Sequence, residues 1–208
     1  MSSIHNGGFV MPTCQVLPEG YSEYYSVDLQ KDKKTATFVN VLSLVLSLAV
    51  GIPMHLSYPI WHLFEMEDGF GAYLARMLVF LVSLIAYLCL HELTHAAVMK
   101  YYGATKVRFG FTGLYAYAGS LEDYFGKLPY IHIALAPVVV WGIVFFLLAF
   151  LVKGPWLWVV YFLQIMNIGG AAGDLYVAAK FSRFPSDILV RDTGVDMTVF
   201  SREGRNVR

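Results

Sequence analysis

The chain has 208 residues, of which 57% are hydrophobic and only 14% charged, with a mean hydropathy of +0.56 and a formal net charge of zero. A soluble domain carries about 25% charged residues, so the composition excludes an ordinary soluble globule and points to an integral membrane protein. The balanced charge gives no footing for a nucleic-acid partner, and two cysteines, Cys14 and Cys89, exclude a disulfide framework.

Residues 1–37 read as a cytoplasmic N-terminal tail. Their start is polar and contains Gly and Pro, without a charged region leading into an apolar core, so no cleavable signal peptide is expected and the first membrane helix acts as the targeting signal. Lys31, Lys33 and Lys34 form a basic flank. The first span is expected over 38–60, a length of roughly 35 Å as a helix against a bilayer core of about 30 Å. Gly51 and Pro53 predict a kink or an early end. His55 reads as a packing residue and Trp61-His62 as an interfacial belt, followed by an acidic loop with Glu65, Glu67 and Asp68.

The second helix is expected over 72–102, with Gly103 as its stop. Its apolar run ends in His91-Glu92-Leu93-Thr94-His95. Histidines four apart share a helix face, so His91 and His95 can grip one metal ion, and Glu92 can reach a water on it. Zinc suits imidazole donors, and a catalytic site leaves one position open for water. A Glu and two His are costly at membrane depth and are functional candidates on that ground.

Residues 105–119 alternate polar or small residues with Val, Phe, Leu and Tyr between glycines, the pattern of a strand or hairpin. It can be structural cover for the site, or an edge that captures an extended peptide. A short polar connection over 120–127 leads to the third helix, 129–152, with His132 near its start and Pro137 inside. Lys153-Gly154 makes a tight turn and Pro155 opens the fourth helix, 156–181. There Asn167 and Asp174 lie seven apart on one face, and Gly169 and Gly173 invite close helix approach. Asp174 is the expected third ligand to the ion; the alternative is a carboxylate paired with Asn167 or a histidine. Residues 182–208 form a cytoplasmic C-terminal segment, with two short strands over 187–200 around a turn at 192–194. Lys and Arg concentrate in the two terminal segments and the connection between helices two and three, so both termini and the hairpin are expected in the cytoplasm.

The motif in the second helix, the strand-rich loop, Ala134-Leu135-Ala136-Pro137 in the next helix and an Asp in the last resemble the core of site-2 protease intramembrane metalloproteases. The layout is similar still more closely to the putative zincin peptidases, small bacterial membrane proteins with four such helices. The resemblance covers roughly 72–180. It implies His91, His95 and Asp174 as zinc ligands and Glu92 as general base, with Asn167 matching the family's Asn upstream of that Asp. The chain departs from the site-2 protease pattern where Asn167-Ile168-Gly169-Gly170 replaces Asn-x-x-Pro and Asp174-Leu175 replaces Asp-Gly.

The expected fold is therefore an all-α integral membrane protein: four transmembrane helices over 38–181, a small cytoplasmic β-hairpin between helices two and three, and a short C-terminal strand segment. The expected function is a zinc-dependent, membrane-embedded peptidase of the cell membrane that acts on a peptide or membrane-protein substrate, with the lipid bilayer as its surroundings. Two other readings stand beside it: a non-catalytic metal-binding scaffold, closed by His132 or another fourth ligand, and a small metal transporter.

Overall fold

A computed structural model describes residues 13–28, 31–113 and 115–202; the tail reading over 1–12 and the last six residues of the C-terminal segment lie outside them. In chain order the elements are β1 (Thr13–Cys14), β2 (Tyr21–Asp28), α1 (Lys33–Ser57), a 3₁₀ turn (Ile60–Phe64), α2 (Phe70–Tyr101), β3 (Arg108–Phe111), β4 (Ala116–Gly119), β5 (Tyr124–Gly126), α3 (Lys127–Leu151), α4 (Trp156–Gly170), α5 (Ala172–Phe181), β6 (Leu189–Asp192) and β7 (Asp196–Arg202).

Four helical stretches are long and apolar enough to cross a membrane: Lys33–Ser57, Phe70–Tyr101, Lys127–Leu151 and Trp156–Phe181. Large apolar side chains point outward from them, among them Leu44, Leu48, Leu78, Ile85, Phe146 and Phe150. Apolar surface on that scale is sustained by lipid, not by water, and the four helices support a membrane protein. α4 is the central rod and touches α1, α2 and α3. Its contact with α1 is close because Gly169 has no side chain: a Cβ there would stand 2.1 Å from Ser47 Oγ. Gly173 faces open space instead, so only one of the two glycines acts as a packing notch, and it faces α1.

The fourth span is interrupted. Gly169, Gly170 and Gly173 weaken the helix around Ala171, whose φ of −80° and ψ of 14° separate α4 from α5. The break places Asp174 in the first turn of α5, where the exposed N–H groups and the helix dipole favour a carboxylate.

The fold is not all-α. Beside the expected hairpin of β3 and β4, five strands form an antiparallel sheet in the order β1-β5-β6-β7-β2. Two of its members fall where a tail was expected, and β5 falls in the supposed polar connection. β2 escaped pattern reading because a bulge between Glu23 and Tyr25 shifts the register, so the alternation of inward and outward residues is broken mid-strand. The sheet packs on one end of the bundle through Phe125, Val190 and Val199, which meet Ile133 of α3, Met99 of α2 and Phe181 of α5. Each such buried side chain contributes about 1.5–3 kcal/mol. Because β2 precedes α1 and β7 follows α5, this sheet also puts both described ends of the chain at the same end of the bundle as the hairpin. At the other end Arg76, 1% exposed, donates from Nε to the Leu63 carbonyl at 2.9 Å and from Nη2 to the Glu65 carbonyl, tying the 3₁₀ turn to α2.

Candidate metal centre

His91 and His95 sit one turn apart on α2, about 9–15 Å along the helix axis from its Tyr101 end. Asp174 lies about 10 Å from the Phe181 end of α5, at a comparable depth. The two elements meet so that Asp174 Oδ2 stands 3.3 Å from His91 Nε2 and 3.6 Å from His95 Nε2. The three ligand atoms lie within 4.8 Å of one another, and among the described residues no fourth His, Cys, Asp or Glu joins them. These spacings fit a zinc ion. With bonds of about 2.0–2.2 Å, two donors on a tetrahedron are about 3.3–3.6 Å apart.

The outer nitrogens are also occupied. His95 Nδ1 donates to the Ile133 carbonyl of α3 at 2.9 Å. His91 Nδ1 meets the Tyr87 hydroxyl at 3.1 Å, and that hydroxyl donates to Asn167 Oδ1 at 2.9 Å. Asn167 is fully buried and its Nδ2 donates to the Val138 carbonyl at 3.0 Å. A carbonyl only accepts, so Val138 dictates which end of the Asn167 amide faces Tyr87. The Tyr87 hydrogen then goes to Asn167, and its lone pair takes the His91 N–H. Both imidazoles thereby present a bare Nε2 toward Asp174, the form a metal requires.

Glu92 follows His91 on α2, and the backbone N–H of Ala118 in β4 faces its carboxylate. β4 reaches this position because it packs on α2 and is paired with β3 on one side only, while Gly119 abuts the Thr193-Gly194 turn. The turn is itself held by Asp192, which accepts the Tyr130 hydroxyl at 2.7 Å and the Gly194 N–H at 2.7 Å. Burial pushes the Asp192 carboxyl above its ordinary value, and those two hydrogen bonds pull it the other way.

Of the residues singled out from the sequence, His91, His95, Glu92, Asp174 and Asn167 come together here. His132 does not. It is exposed, and its Nδ1 pairs with the Tyr102 hydroxyl at 2.5 Å. It adjoins Ile133 in sequence but lies about 100° round α3 from it, on the exposed side of the helix, so it closes no fourth position. His55 is a packing residue: its Nδ1 accepts the Ile60 N–H at 3.2 Å and its ring meets Trp61 edge-on. Sequence reading missed Tyr87, although its spacing of four from His91 placed it on the same helix face.

A family model described as putative zincin peptidase matches residues 84–189, a little over half of the chain, from about two turns before the motif to the first residue of β6. No curated protein and no solved structure matches the chain.

Proposed function

Since the chain belongs to the putative zincin peptidase family, we propose that it is a zinc-dependent, membrane-embedded peptidase, similar in layout to the site-2 proteases, that hydrolyses peptide bonds of a peptide or membrane-protein substrate. The observation that carries this reading is the convergence of His91 Nε2, His95 Nε2 and Asp174 Oδ2 from two separate helical rods. Those three side chains would hold the ion, and three protein donors leave one tetrahedral position for solvent. When bound, zinc supplies Lewis acidity that acidifies a water and polarises the scissile carbonyl.

The remaining work belongs to the chain. Glu92 accepts the proton of the attacking water and delivers it to the departing amide nitrogen. The Ala118 N–H faces the Glu92 carboxylate from the hairpin. The hairpin that carries Ala118 shields the site from one side. The Lys and Arg distribution supports an orientation with the sheet, the hairpin and both termini in the cytoplasm, and the site below that surface. A closed scaffold needs a fourth protein ligand, and His132 is engaged elsewhere.

The test is cleavage of a fluorogenic peptide library by the purified protein in detergent, with and without zinc, alongside Glu92→Gln. Removal of a general base costs about 10²–10⁴-fold, so the variant should lose turnover by that factor while still taking up zinc. Equal cleavage by Glu92→Gln and wild type would sink the mechanism.

A further inference from the structure

An unbroken α-helix would satisfy the Ile133 carbonyl with the N–H of the residue four positions on. That residue is Pro137, inside α3, and proline has no N–H. The carbonyl left over is the one that receives His95 Nδ1, at 2.9 Å. Ile133 is 1% exposed and His95 8%, so water does not compete for either group.

We propose that Pro137 is a positioning residue for the metal centre: by withholding one helical hydrogen bond it leaves the Ile133 carbonyl free to lock His95 with Nε2 bare and aimed at Asp174. The proposal rests on the zinc reading above. α3 then orients both histidines, at His95 directly and at His91 through Val138, Asn167 and Tyr87. The two arms differ in kind. The His91 arm uses side chains that substitution can delete. The His95 arm uses a main-chain carbonyl, which only a change in the helix's own bonding can withdraw. A proline at this position costs α3 a hydrogen bond, and the His95 N–H restores a partner to the same oxygen.

The experiment replaces Pro137 by Ala, which returns an N–H to residue 137 and lets the helix reclaim the Ile133 carbonyl. Three quantities are measured on detergent-purified protein: zinc affinity by chelator competition, the visible d–d spectrum of the cobalt-loaded form, and thermal stability of the metal-free form. Tyr87→Phe, which cuts the other arm, runs beside it. Loss of an outer-sphere partner weakens metal binding on the order of ten- to a hundredfold. We expect that loss for Pro137→Ala, with a changed cobalt spectrum and metal-free stability equal to or above wild type. Zinc affinity within twofold of wild type would overturn the proposal and leave the zinc reading intact. A parallel fall in metal-free stability would make Pro137 a packing residue and also overturn it. Wild-type protein that takes up no zinc would overturn both.

Discussion

Asp174→Asn separates a ligand from a base within one site. The substitution keeps the side chain's shape and removes its charge, at an atom 3.3 Å and 3.6 Å from the two imidazole nitrogens. Zinc sites with four protein ligands bind with about 10–16 kcal/mol, or about 2.5–4 kcal/mol per ligand. Losing one ligand therefore weakens zinc by about 10²–10³-fold, since 1.4 kcal/mol is a factor of ten. The Asn carbonyl oxygen retains some donor strength, so Asp174→Asn falls at the lower end and Asp174→Ala at the upper. Glu92→Gln changes a carboxylate on the neighbouring helix and should leave zinc affinity within a few-fold of wild type. The assay is equilibrium competition with a fluorescent chelator at fixed pH in detergent. If Asp174→Asn binds zinc within about threefold of wild type, or if the two variants lose equal affinity, Asp174 is not a ligand and the three-donor argument fails.

Two further outcomes test how the surrounding structure supports the site. A Cβ at Gly119 would stand 2.3 Å from the Thr193 carbonyl carbon and 2.4 Å from the Gly194 nitrogen, both main-chain atoms that cannot rotate aside. Gly119→Ala should therefore lose about 1–3 kcal/mol of stability, and the displaced Ala118 N–H should lower turnover by up to about 10²; an unchanged melting temperature and rate would contradict the packing described. Because the folded state holds the Asp192 carboxyl above its ordinary value of 3.8, the native protein binds the proton more tightly than the unfolded chain, and this contribution is complete below pH 3.8 and lost as pH rises through the raised value. The melting-temperature advantage of wild type over Asp192→Asn should shrink as pH rises from 3.8, and a difference that stays constant across a pH series would show that Asp192 is not perturbed.

What the sequence determined by itself are features carried by neighbours along one element. Hydropathy alone marks four spans, because a helix in lipid must be apolar over its whole length. The pairing of His91 and His95, and the place of Glu92 beside them, follow from helical periodicity and need no partner element. Asp174 was legible as a carboxylate too costly for a membrane helix without a task. The tertiary structure decided everything that depends on contact between distant residues. Tyr87 reaches Asn167 across 80 positions and His95 reaches Ile133 across 38. Pro137 reads in sequence as a proline inside the third helix, and only the approach of α2 turns its missing hydrogen bond into a seat for an imidazole. β2 and β7 join the two described ends of the chain into one sheet, hidden by a bulge that breaks the two-residue period. Periodicity records which face a residue occupies, whereas the choice of what lies opposite that face is made by packing, where each partner is selected by shape and by the need to satisfy every buried polar group.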